Sequence, residues 1–273
     1  MAVIAISRQV AALGDEIATA VAKKMNYSFI GRQAIERKIV ELGFPADKLK
    51  KYDERKPGFF ASLAKDRDEY LDYLQTAVLE AASEGDCVLI GRGSFIILED
   101  LPNLVSVRFV AKDPIRKMRL MNEFSWDEKK AQQRITESDT NRLGFHKSFF
   151  NLDHEDPEHF HMVMNTGLLD VDAAAQIIVE LCSHVISEEK EIAGKKKIDE
   201  LLKAQHLVNA LIFEHKLNIS FLKAVIVENR VVLQGVADSS ALAEKAVSIS
   251  KTIMPNFTIE SAISVVQDFK AYP

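Results

Sequence analysis

The chain opens with an apolar run, Val3-Ile4-Ala5-Ile6, followed by a polar turn of small residues and then by apolar residues at Ile17, Ala20, Val21 and Met25. A short run rich in Val and Ile predicts a buried strand, and apolar residues three and four apart predict an amphipathic helix. Variants of this pattern recur. Residues 27–30 read as a short strand or extended link. Residues 31–42 read as a helix with Ile35, Ile39 and Leu42 on one face, and residues 60–84 as a long helix closed by Gly85. Cys87-Val88-Leu89-Ile90 predicts a second buried strand and residues 104–110 a third. A helix follows from Pro114 to about Glu123, and another from Trp126 to about Glu137, with room to run past Arg142. Residues 162–166 predict a fourth strand, and Asp170 caps a helix reaching about Ser187. Buried strands alternating with helices predict an α/β domain, a parallel sheet flanked by helices on both faces.

The pattern changes after Ser187. Residues 188–197 are dense in charge, contain Gly194, and read as a linker. Beyond them come a helix (198–215), two strands (220–228 and 231–236) with Asn229-Arg230 as the turn, a helix (239–254) and a last strand (258–266). That order predicts a small C-terminal α+β module with one sheet. The expected organisation is therefore a domain over 1–187, a linker over 188–197 and a module over 198–273.

A length of 273 residues allows one large or two modest cores, and a formal net charge of −5 gives no general pull toward nucleic acid or anionic membrane. No run is long and apolar enough to span a bilayer, and the N-terminus lacks the marks of a signal peptide, so a cytoplasmic setting is expected. Cys87 and Cys182 sit far apart inside apolar runs and read as buried thiols.

The turn after the first strand faces the carboxyl end of the sheet, where open α/β sheets bind ligands, and the helix start offers N–H groups to an anion. It lacks the lysine and most of the glycines of a full phosphate loop, so an ordinary strand-to-helix turn is the competing reading. Arg92, between Gly91 and Gly93 at a strand exit, is expected to have open space around it. Its planar fork suits phosphate, although it also suits nearby carbonyls. Arg116, Arg119, Arg134, Asp139 and Arg142 are candidates to converge on a polyphosphate, or else helix-surface charge with local ion pairs. His154, His159 and His161 match no usual metal spacing and read as a polar loop, so no metal ligand is assigned. The charged stretch 48–56 and the region 139–150 are expected to be mobile without ligand.

Ile6-Ser7-Arg8-Gln9, then Gly14-x-Glu16-Ile17-Ala18, then Val21-Ala22-Lys23-Lys24 resembles the opening of the cytidylate-kinase-like family. Further segments agree in order: Cys87 to Gly93, Leu98-x-Asp100-x-Pro102-Asn103, Val107 to Ala111 with Arg116, Asp139-x-x-Arg142, and Phe160 to Thr166. The resemblance covers about residues 1–187. It implies a P-loop kinase-type fold and phosphoryl transfer from ATP, with Mg²⁺, to CMP or dCMP. Under it, Ser7, Arg8, Gln9, Ala11, Ala12, Leu13, Gly14, Asp15 and Glu16 would border the ATP phosphates. Arg92 would hold the acceptor phosphate, and Asp139 and Arg142 would serve the acceptor and lid side; by charge alone, Arg116 is expected to join Arg92 and Arg142 in keeping positive charge where a monophosphate would sit. The family's loop reads Gly-Ser-Gly-Gly-Arg-Glu where this chain has Ala11-Ala12-Leu13-Gly14-Asp15-Glu16, so a basic residue and two glycines are replaced. Residues 198–273 resemble a BON-type module through Ala224 to Val236 and Ala243-x-x-Ala246. Such modules imply a phospholipid or protein ligand.

The leading expectation is a nucleoside-monophosphate (CMP/dCMP-type) kinase-like protein with a degenerate phosphate loop. Its rivals are a catalytically inactive nucleotide sensor or regulator, and an interaction scaffold acting through the C-terminal module. The expected ligand is a CMP-like nucleotide, with no nucleic-acid partner, and homo-oligomer formation is left open.

Overall fold

The computed structural model describes residues 2–49, 52 and 64–266. By its contacts the chain divides into two units, Met1–Lys197 and Ile198–Pro273.

The first unit is built on five strands: β1 (Val3–Arg8), β2 (Ser28–Ile30), β3 (Cys87–Ile90), β4 (Leu104–Val110) and β5 (Met162–Asn165). They pair in the order β2-β3-β1-β4-β5, every pair parallel. The expected parallel sheet is thus present, and residues 28–30 are a strand rather than a link. The central strand β1 is buried along almost its whole length, as an apolar run in a doubly covered sheet requires. Helices α1 (Gly14–Met25), α2 (Arg32–Glu41), α3 (Ala46–Leu49), α4 (Ala64–Ser83), α5 (Ser94–Ile97), α6 (Asp113–Phe124), α7 (Glu128–Phe150) and α8 (Val171–Val185) connect and flank the strands. Ile17, Val21, Ala174 and Ile178 from α1 and α8 join Ile4, Ile6, Val88, Val105 and Phe109 of the sheet in one core. Asp170 caps α8 as expected, its Oδ1 accepting from Ala173 N at 2.8 Å. Burial pushes the Cys87 thiol up to about 12 and Cys182 up to about 11, so both stay protonated at neutral pH.

Helix α7 is longer than the hydropathy pattern suggests. Asp127 starts it by accepting from Lys130 N at 2.7 Å, and Asn151 ends it in a left-handed conformation with φ 51°. The expectation of a mobile segment over 139–150 does not hold, because Phe145, His146 and Phe149 are buried there. Most of the charged stretch 48–56 and residues 60–63 lie outside the described residues.

The expected linker is also helical. Residues 188–197 form the first turns of α9 (Glu188–Asn209), which carries three acidic residues in its first turn, where the helix dipole favours them.

In the second unit a π-helical turn (Ala210–Glu214) follows α9. Strands β6 (Ser220–Val227), β7 (Arg230–Ala237) and β8 (Thr258–Val265) pair in that order, antiparallel and then parallel, with α10 (Ser240–Ile253) crossing between β7 and β8. The hairpin turns at Glu228-Asn229 rather than at Asn229-Arg230. Glu228 takes φ 55°, and Arg230 already pairs with Val227. Among the described residues no helix is long and apolar enough to cross a membrane.

Candidate functional site

The cleft lies at the carboxyl ends of β1 and β3. It is lined by Ser7, Arg8, Gly91, Arg92, Gly93, Phe95, Arg142, Phe145 and His146. Four of these side chains are basic or become so on protonation, so its chemistry is that of an anion site.

On the β1 side, the loop over residues 9–13 takes a left-handed backbone at two positions that are not glycine. Ala11 and Leu13 both sit at φ 58°, and they stand at two of the three positions where the resembling family carries glycine, the third being Gly14. For an L-residue this conformation costs roughly 1–2 kcal/mol. Gly14 has no such freedom to spare. A Cβ there would meet the Arg8 Cγ at 2.6 Å, so the Arg8 stem runs directly across the start of α1. Arg8 Nε lies 3.7 Å from Asp15, whose side chain is exposed.

The loop is held from behind by α6. Arg116 Nε donates to Val10 O at 2.9 Å, and Arg119 Nη1 donates to Ala11 O at 3.0 Å. Arg119 also reaches Thr166 O at 2.7 Å, tying the loop to the end of β5. Gln9 Oε1 accepts from Ala111 N at 3.0 Å, which ties it to the end of β4. Arg116 makes a two-point pair with Asp139, both contacts at 2.8 Å, and a further contact to Asp113 at 3.1 Å. It is only 1% exposed. Arg116 and Asp139 were expected on the acceptor and lid side; here they join each other and the loop backbone, away from the cleft lining.

On the β3 side, Arg92 was expected in open space. It is 3% exposed and turned inward, with Nη1 donating to Tyr52 O at 3.0 Å and Nη2 paired with Glu36. Glu36 also accepts from Arg32 Nε at 2.7 Å. The turn around Arg92 explains this. Gly91, Arg92 and Gly93 all have positive φ, so the chain doubles back as it leaves the strand. A side chain at Gly93 has no room, since its Cβ would lie 2.6 Å from the Phe150 ring.

Arg142 and His146 reach the cleft from α7, with His146 Nδ1 2.8 Å from Arg142 O. The His146 ring stacks on His154, centroids 4.6 Å apart and planes 6° from parallel. Burial first, then the neighbouring His146 and arginines, pushes His154 down to about 3, so it is neutral at physiological pH. The histidines 154, 159 and 161 do not converge. His161 Nδ1 instead accepts from Ser106 N at 2.9 Å, between β4 and β5. Among the described residues no group of three or more His, Cys, Asp or Glu side chains is arranged to hold a metal ion.

Two residues near the cleft take places the sequence did not indicate, Arg108, which it gave no role, and His154, which it read as part of a polar loop but which is buried. Arg108 on β4 donates to Ser7 Oγ at 3.2 Å, and His154 backs His146. The signal available for Arg108 was its place inside an apolar run, where an unpaired charge is costly.

Comparison with known proteins agrees with this architecture. A solved structure of an uncharacterized protein from Eubacterium ventriosum matches with a TM-score of 0.55 at 22% identity, covering 67% of this chain and 98% of that one. A shikimate kinase from Bacteroides thetaiotaomicron matches with a TM-score of 0.41 at 15% identity, over 67% of this chain and 98% of that one. A gluconokinase from Sinorhizobium meliloti matches with a TM-score of 0.42 at 15% identity, over 67% of this chain and 94% of that one. No curated protein matches the chain. The family model described as the Cytidylate kinase-like family matches residues 3–168, which include all five strands of the sheet, and the chain belongs to that family.

Proposed function

We propose that the first unit binds a CMP-type nucleoside monophosphate in the basic cleft and performs, or descends from a protein that performed, phosphoryl transfer to it from ATP. The observation that carries this reading is the convergence of Ser7, Arg8, Arg92, Arg142 and His146 on one cleft at the carboxyl ends of two parallel strands. The ATP side is the weaker half. The loop has no lysine, and Asp15 and Glu16 at the start of α1 place negative charge toward a triphosphate. These residues fit a resident metal poorly, so Mg²⁺ enters this reading only as the companion of ATP.

A second reading, a nucleotide sensor without turnover, is favoured by one observation: Asp15 stands where the family carries arginine and lies beside Arg8. Calorimetry of CMP and of Mg-ATP, on wild type and on Arg92→Ala, together with a phosphoryl-transfer assay, separates the two. We expect CMP to bind more tightly than Mg-ATP, with slow transfer. Tight Mg-ATP binding with brisk CMP phosphorylation would indicate an ordinary kinase. CMP binding with no transfer at all would favour the sensor.

For the second unit the BON-type resemblance suggests a phospholipid or protein ligand. A groove of about 360 Å³ between α10 and β8, lined by Ala243, Val247 and Val265 with Glu244 and Lys251, supports a binding role.

A further inference from the structure

Arg108 faces Ser7 across the β1–β4 pair, in register with it, and only 2% of the residue is exposed. A guanidinium carries five N–H donors. Among the described residues Arg108 makes two hydrogen bonds: Nη1 to Ser7 Oγ at 3.2 Å, and Nη2 to Glu155 Oε1 at 3.5 Å. The second is at the limit of a hydrogen bond, and the Glu155 side chain is 57% exposed. The ring of Phe160, 5.9 Å away, offers only its face. The carboxylates of Asp139 and Asp153 also act on Arg108 through space without bonding it, and a buried cation with so few hydrogen bonds is costly unless something else completes its shell.

The neighbour of Glu155 supplies a second, independent sign. His154 is 3% exposed, and its Nδ1 has no hydrogen-bond partner among the described residues. The charged groups acting on it are Arg108, Arg142 and Asp153, beside the stacked ring of His146. One short loop thus carries a buried ring nitrogen without a hydrogen-bond partner and an exposed, loosely held carboxylate, and both residues interact electrostatically with the same arginine. Buried polar atoms without partners are rare enough in proteins that they point to a missing one.

We propose that Arg108, Ser7 and His154, with Arg142 beside them, form a seat for one phosphate group of the bound ligand, and that Glu155 occupies Arg108 until the phosphate displaces it. This rests on the reading of the cleft as a site for a phosphorylated ligand. The family resemblance assigned the acceptor phosphate to Arg92, and it did not assign Arg108, His154 or Glu155 to any ligand. Arg92 is already engaged by Glu36 and the Tyr52 carbonyl, and Arg116 by two carboxylates. Arg108 has the more exposed and more distant carboxylate, hence the one most readily exchanged for phosphate. A phosphate dianion beside His154 favours the imidazolium, so binding takes up a proton from solvent onto the ring.

The test uses the full-length chain with inorganic phosphate and CMP as probes. Ring ¹⁵N spectra follow His154, and calorimetry follows affinity. We expect phosphate to move the His154 ring nitrogens toward their imidazolium positions near pH 6.5. Arg108→Met is expected to weaken CMP binding by about tenfold or more, the usual loss for hydrogen bonds to a charged group. Glu155→Gln, at an exposed position, is expected to fold normally and to tighten phosphate binding several-fold. If Arg108→Met does not fold, Glu155→Gln and the His154 spectrum decide alone. CMP binding by wild type with an unmoved His154 ring and unchanged affinity in Glu155→Gln would overturn the seat and leave the proposed function standing. Wild type that binds neither CMP, phosphate nor Mg-ATP would overturn both.

Discussion

The two strand exits that border the cleft are built in opposite ways. The loop after β1 holds Ala11 and Leu13 in left-handed conformations and is followed by a carboxylate, Asp15, beside Arg8. The exit of β3 keeps its cation, Arg92, and binds it inward to Glu36 and Tyr52 O. Shape at the first exit is imposed from outside, by arginines of α6 that grip the Val10 and Ala11 carbonyls. Charge at the second exit is buried and must be neutralised by its own neighbours. A strained loop can therefore be held in shape by tertiary hydrogen bonds from another element, whereas a buried arginine has to be neutralised by partners at its own position.

The strongest way to break this comparison is Arg116→Ala. It releases the Val10 carbonyl and leaves Asp139, a third exposed, without its two-point partner, and losing a buried arginine with these hydrogen bonds is expected to cost about 2–3 kcal/mol. Urea unfolding followed by the fluorescence of Trp126, the chain's one tryptophan, reads the first unit directly. A loss under about 1 kcal/mol would mean that α6 does not hold the loop.

The next effect is in pH. His154 is held down to about 3 in the folded chain, below its ordinary value near 6.5. The unfolded chain therefore takes up the proton first, and stability falls as pH drops below about 6.5. Between pH 6.5 and 5 the expected loss is about 2 kcal/mol from this ring. His154→Phe should flatten that part of the profile, and a profile unchanged by the substitution would refute the assignment.

Smaller still is Asp15→Ser. Removing one exposed carboxylate near the phosphates is worth about 1 kcal/mol, so Mg-ATP affinity by calorimetry should rise several-fold while CMP affinity is unchanged. Equal gains for both ligands would show that the two exits do not divide the site as described. The smallest is Ala11→Gly, which relieves a left-handed alanine and should raise the unfolding free energy from urea titration by no more than about 1 kcal/mol. A clear loss would show that the Ala11 methyl, and not the α6 arginines, sets the loop.

Much of the first unit's architecture was legible along the chain. Apolar runs such as Val3 to Ile6 and Cys87 to Ile90 have one stable place, inside a sheet covered on both faces. Asp170 reads as a helix start because its carboxylate can reach the N–H groups two or three residues on. These are local relations, and the order of residues contains them. The helical linker and the long α7 were less legible, because charge density and one glycine resemble a break whether or not a helix continues through them.

The sequence by itself determined the strand–helix alternation, the place of the turn after β1, and the absence of a lysine from that turn. Only the tertiary structure decided which carboxylate each arginine meets: Glu36 for Arg92, Asp139 for Arg116, Glu155 for Arg108. Those partners lie 56, 23 and 47 residues away in the chain. A guanidinium has the same fork at every position, so the residue type states what it can bind. Which partner it binds depends on which elements the packed sheet brings within about 3 Å of it.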